Sequence, residues 1–145
     1  MDKIFKTDFD AKQVDVVLLI IRIGVASLML THGIPKLQML LDAGEVQFPG
    51  VMGLSPALSL GLAVFAEVLC SILLFIGLGT RLASIPLIIT MLVAVFLIHS
   101  NDPFATQELG ILYIILYIPL LILGGGKYSL DSMLREVQQP ELVKR

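Results

Sequence analysis

A chain of 145 residues has room for one domain, but 57 % of its residues are hydrophobic and only 15 % charged, with a mean hydropathy of +0.93, which excludes an ordinary soluble fold. A net charge of −2 without any Lys/Arg-rich block argues against nucleic acid as a partner. Cys70 is the sole cysteine, so there is no intrachain disulfide, no CxxC pair and no thiolate cluster for zinc or iron and sulfur.

Along the chain, the opening MDKIFKTDFDAKQ mixes both charge signs, and Ile4, Phe5 and Phe9 suit a short interfacial helix as well as they suit a fraying tail. The first apolar run, Val14 to Gly33, is long enough to cross about 30 Å of hydrocarbon. Arg22 interrupts it and no A-x-A cleavage site follows, so it is expected to be retained rather than removed as a signal. Pro35 disfavours helical geometry at Ile34 and is expected to end the helix there. The following loop carries Asp42 and Glu45, to which the sequence assigns no role.

Ser55 and Pro56 suit an N-cap and first helical position for a second span, Ala57 to Leu78. GLGTR then leaves room only for a tight hairpin into a third, Leu82 to Ile98, with Pro86 expected in its first turn. Leu109 to Leu123 reaches spanning length with its flanks, about 107–124, and Pro119 is expected to kink it. YSLDSMLREV closes the chain with Tyr128 as a headgroup anchor, Ser129 as a cap and the pattern of a short amphipathic surface helix. The expectation is a single all-α domain over residues 1–145, a four-helix transmembrane bundle of spans 14–33, 57–78, 82–98 and 107–124.

Lys3, Lys6, Lys12, Arg81, Lys127, Arg135, Lys144 and Arg145 fall on one side of that bundle, against Lys36 alone on the other. The bias predicts both termini in the cytoplasm. No inverted repeat relates the two halves. Gly61, Ala63 and Ala66 permit close packing with another helix, leaving an oligomer open without demanding one.

Charged groups inside the spans turn toward one another or toward a wet cavity. Counted from Val14, Arg22 lies roughly 12 Å deep; counted from Leu78, Glu67 lies roughly 16 Å from the same face. The expectation is therefore an Arg22–Glu67 pair, either a structural bond between the first two helices or part of a ligand or proton site. Near the opposite face, His32 and Lys36 are four residues apart, His99 closes the third helix and Glu108 opens the fourth. Singly these have plain readings: a hydrogen-bonded histidine, a snorkelling lysine, a carboxylate favoured by a helix dipole. Together they suit a polar-headed ligand or proton transfer.

No HxxxH or ExxH occurs on one helix, so no metal site is expected. Cys70 in an apolar span is not expected to act as a nucleophile. Tyr113 and Tyr117 either line a cleft or fill the core, the core being the commoner use.

RIGVASLMLTHGIPK, FPGVMGLSP, AEVLCSILLFIGLGTRLASIPLIITMLVAVFLIH and ELGILYIILYIPLLILGGGKYSLD resemble, in order, the pattern of the DoxX family of small bacterial membrane proteins over roughly Arg22 to Asp131. The resemblance implies a four-helix bundle in the bacterial inner membrane and a link to quinone and catechol stress, to thiosulfate oxidation passing electrons to quinone, and to oxidant-detoxifying complexes. It carries the family's polar positions onto Arg22, His32, Lys36, Glu67, Arg81, His99 and Glu108. The reading that follows is a multi-pass subunit, set in the lipid bilayer, that binds a quinone or similar lipophilic molecule. Arg22 and Glu67 would polarise a carbonyl or relay a proton, with His32, Lys36, His99 and Glu108 as further contacts and Arg81 as a topological anchor. No flavin, haem, metal or nucleotide motif is present, so electrons would come from a partner oxidoreductase. The alternatives are a small transporter or proton/anion permeation protein, and a structural subunit of a membrane complex.

Overall fold

The computed structural model describes residues 10–42, 44 and 46–138. Helix α1 runs Ala11–Leu41, α2 Pro56–Ile76, α3 Thr80–Ile98, α4 Phe104–Leu123 and α5 Leu130–Gln138, and no strand occurs among the described residues. The first four are long and apolar enough to cross a membrane. Even α3, with 19 residues, extends about 28 Å. The front segment with Ile4, Phe5 and Phe9, and Glu45 in the first loop, lie outside the described residues.

The four spans alternate in direction. One end of the bundle, the tail end, carries the start of α1, the α2–α3 turn and α5; the other, the loop end, carries the loops after α1 and α3. Packing joins α1 to α2 and α4, and α3 to α4 and the middle of α2. Leu18, Val25, Met29, Leu74, Leu87 and Tyr117 meet in the centre. Large apolar side chains such as Ile20, Leu62, Leu82, Phe96 and Ile122 point outward from all four spans, a belt that lipid rather than water would cover.

Local chemistry sets the helix ends. The Ser55 hydroxyl accepts from Leu58 N–H at 3.3 Å and Pro56 starts α2, as its missing N–H allows. Gly77 closes α2 in the left-handed region at φ 74°, and a Cβ there would lie 1.7 Å from Arg22 Nη1, so the turn needs glycine twice over. The Asp131 carboxylate accepts from Gly79 N–H (2.7 Å) and Thr80 N–H (3.0 Å), which starts α3 at Thr80, ahead of the apolar run. Pro86 consequently sits in the second turn of α3, not the first.

Pro35 does not end α1, which continues through it to Leu41. The local preference against a helix before proline is outweighed by packing on both sides of it. Gly33 touches α2 so closely that a Cβ would come within 2.9 Å of the Glu67 backbone, and Lys36 is bonded to the Glu67 side chain. Pro119 likewise lies within α4. At the tail end α5 forms where the YSLD pattern places it, with Ser129 Oγ accepting from Ser132 N–H at 3.2 Å.

Candidate functional site

Glu67 sits in a π-helical stretch, Phe65–Cys70, in the middle of α2, and α3 ends in a second one, Ala94–Ile98. Such wide turns insert a residue into the α ladder and re-aim the side chains around them. Both stretches border one cavity of about 230 Å³ toward the loop end, with Met29, His32, Lys36, Glu67, Met91 and Tyr113 among its walls.

Its polar centre is an ion pair. Lys36 Nζ donates to Glu67 Oε1 at 2.5 Å, the lysine side chain 31 % exposed and the glutamate 1 %. Glu67 Oε2 is buried with no hydrogen-bond partner among the described residues. An unpartnered buried carboxylate oxygen is expensive unless a ligand or water satisfies it. Around the pair, His32 meets Tyr113 edge to face, with centroids 6.0 Å apart and planes at 88°. Tyr113 stacks on Tyr117 at 5.9 Å, and the Phe48 ring from the first loop lies 6.0 Å from Lys36 Nζ. Tyr113 therefore lines the cleft while Tyr117, fully buried and with no hydrogen-bond partner for its hydroxyl among the described residues, belongs to the core beneath it.

His99 reaches the cavity edge, its Nδ1 2.6 Å from Asp102 Oδ2, and Gln107 Nε2 donates to the His99 and Asp102 carbonyls at 2.8 and 3.2 Å. Glu108 does not join: it is exposed on the outer side of α4, while Thr106, Leu109 and Gly110 line the cavity. Among the described residues, no three His, Cys, Asp or Glu side chains converge as metal ligands.

The expected Arg22–Glu67 pair does not form. Arg22, 2 % exposed, donates from Nη2 to the Tyr128 carbonyl (2.6 Å) and from Nη1 to the Gly125 carbonyl (3.4 Å) at the tail end. Two physical reasons separate the charges. The residue that touches Glu67 is Gly33, eleven positions beyond Arg22 and so about 16 Å farther along α1, because the start of α1 overhangs the α2–α3 turn. Helical side chains also lean toward their own N-terminus: in antiparallel neighbours Arg22 leans to the tail end and Glu67 to the loop end. Lys36, leaning back from the far end of α1, meets Glu67 instead. Arg81 lies exposed at the start of α3, beside the Gly124 turn.

Sequence reasoning missed the partner swap, the Asp131 cap and Phe48. Asp131 had a readable signal, an Asp in YSLD beside a Gly-rich turn, whereas the π turns and Phe48 leave none.

A model of the DoxX family matches residues 17–100. A Haemophilus influenzae protein named "Uncharacterized protein" is 30 % identical over 127 residues, covering 83 % of this chain and 84 % of its own. The Bacillus subtilis protein named "Putative oxidoreductase CatD" is 26 % identical over 121 residues, covering 83 % of this chain and 88 % of its own. No solved structure matches.

Proposed function

Starting from a chain that belongs to the DoxX family of multi-pass membrane proteins, we propose that its loop-end cavity binds the ring of a quinone or a similar lipophilic carbonyl compound. In this reading the chain is the membrane subunit of an oxidoreductase or detoxifying system of the bacterial inner membrane, with the tail end in the cytoplasm.

The observation that carries this reading is the free Glu67 Oε2 beside the Lys36-bonded Oε1, facing a cavity of about 230 Å³. A cavity of about 150 Å³ accepts a benzene ring, so this one has room for a single substituted ring, whose tail would lie among lipid chains. Lys36 presents ammonium donors to a carbonyl oxygen. Glu67 holds that ammonium in place and can pass or take a proton as a carbonyl becomes a hydroxyl. His32 and Tyr113 offer ring edges and faces for stacking. Converting a quinone to a hydroquinone takes two electrons and two protons. The chain supplies acid–base groups but no electron carrier, so the electrons come from a partner oxidoreductase, in keeping with the naming of the Bacillus subtilis relative.

The protein has three tyrosines and no tryptophan, and one tyrosine lines the cavity, so quenching of tyrosine emission by a short-chain benzoquinone reads binding directly. In lipid nanodiscs, wild type is expected to show saturable quenching, and Glu67→Gln and Lys36→Gln to weaken it about tenfold, the loss of one charge-assisted hydrogen bond. Non-saturable quenching that is the same in all three proteins would overturn the proposal.

A further inference from the structure

A second cavity, about 640 Å³, lies at the tail end, away from the Glu67 site. Its walls are the start of α3, the Gly124–Gly126 turn and one face of α5. Three cations border it: Arg81, Lys127 and Arg135. None of the three forms an ion pair with a described residue.

Two carboxylates, Asp131 and Asp15, stand on the same walls. Both oxygens of Asp131 accept backbone N–H groups, from Gly79 and Thr80, and Asp15 Oδ1 accepts Lys127 N–H at 2.9 Å. Arg22 adds a fourth, buried cation behind the wall, bonded to the Gly125 and Tyr128 carbonyls. Among the described wall residues three cations stand against two carboxylates, so the site carries an excess of positive charge.

A second, independent feature points to a ligand. Thr80 is fully buried and its Oγ1 has no hydrogen-bond partner among the described residues. Thr80 is among the residues that border the cavity, and its hydroxyl lies against the glycine turn, so closely that a Cβ on Gly125 would come within 2.7 Å of it. A cavity bordered by three cations, with a spare hydroxyl within its wall, matches an acceptor-rich anion.

The surroundings identify which anion. On α5, Asp131, Leu134, Arg135 and Gln138 face the cavity, whereas Leu130, Met133 and Val137 are exposed apolar residues on another side. A helix so divided lies in the plane of a membrane surface, which sets the cavity at headgroup level.

We propose that the tail-end cavity is a phosphate site for the headgroup of an anionic membrane lipid, held by Arg81, Lys127 and Arg135. A lipid so held bridges α3, the glycine turn and α5, fastening the amphipathic helix to the bundle. The site is separate from the quinone reading and stands or falls without it.

The test is native mass spectrometry of the full chain released from nanodiscs of equal phosphatidylcholine and phosphatidylglycerol. Wild type is expected to retain phosphatidylglycerol selectively. Each cation removed lowers that retention about fivefold, so R81Q/K127Q/R135Q loses the selectivity, while K12Q, outside the cavity at the same end, keeps it. R135Q alone, at an exposed helix position, gives the single-step loss if the triple variant does not fold. Equal phosphatidylglycerol retention by wild type and R135Q overturns the proposal. Displacement of the lipid by millimolar inorganic phosphate supports the phosphate site and overturns the lipid as its occupant.

Discussion

Removing Lys36 tests the pair on which the cavity is built. Lys36→Met keeps most of the side-chain stem but deletes the ammonium, leaving Glu67, 1 % exposed, with neither carboxylate oxygen partnered. Breaking one side of a buried ion pair costs about 3–5 kcal/mol. Because the Lys36 side chain is 31 % exposed, the low end applies, about 3 kcal/mol, or more than about a hundredfold in the opening equilibrium. Adding Glu67→Gln removes the stranded charge and is expected to recover about two thirds of that loss, since replacing both partners of a buried pair is close to neutral. Cys70 supplies the assay: it is the sole thiol and 2 % exposed, so its labelling by a maleimide dye in mild detergent follows opening of the bundle. Lys36→Met should label about a hundredfold faster than wild type, and the double variant within about tenfold of it. A double variant that labels as fast as Lys36→Met would refute the reasoning, because the lysine would then act through its stem and not as the counter-charge of Glu67.

The remaining predictions use the same labelling and quenching readouts, with amide exchange for the tail-end turn. Arg22→Met removes charge-assisted bonds to the Tyr128 and Gly125 carbonyls and should cost about 2–3 kcal/mol, with faster amide exchange at Ser129 to Asp131 and unchanged quinone quenching. Its effect should add to that of Glu67→Gln within about 0.5 kcal/mol, as for residues sharing no partner, and a larger coupling would revive a direct link between them. Gly33→Val drives a side chain into the Glu67 backbone and should cost about 1–3 kcal/mol while weakening quinone quenching, both absent if α1 and α2 do not touch there. Glu108→Gln, on an exposed face of α4, should leave quenching and labelling unchanged, and any tenfold change in either would return it to the site.

What was legible in the sequence followed from transfer energetics. Four apolar runs, the Ser55–Pro56 start, the GLGTR hairpin and the tail helix are each dictated by hydropathy or by a local cap, and each occurs. The pairing of charges was not legible, because depth counted from the first apolar residue assumes that α1 and α2 share a level at the tail end, whereas the start of α1 overhangs the α2–α3 turn and brings Gly33 level with Glu67. Arg22 and Glu67 belong to antiparallel helices, so their heads diverge from any shared level by the leaning of each toward its own N-terminus. Pro35 misled for a related reason: a preference confined to one residue was set against the packing of Gly33 and the bond of Lys36, neither visible without the neighbouring helix. Glu108 was placed at the correct end but lies exposed and not in the cavity, since the run Thr106-Gln107-Glu108-Leu109-Gly110 offers no amphipathic stripe from which to read rotation.

The separation of the two buried charges changes what each is for. Arg22 spends its bonds on backbone carbonyls of the turn between α4 and α5, where Gly77 and the Asp131 cap also converge, and all of its partners are parts of the scaffold. Glu67 keeps one oxygen free, beside a cavity bordered by two π-helical stretches, and its one partner is a lysine with access to the outside of the bundle. Arg22 thus fastens the turn at the tail end through backbone carbonyls, whereas Glu67 faces a cavity with an oxygen that no described residue occupies, the position from which a carboxylate can meet a small molecule. The charge whose loss should weaken ligand binding without loosening the tail-end turn is therefore Glu67, and the charge whose loss should do the reverse is Arg22.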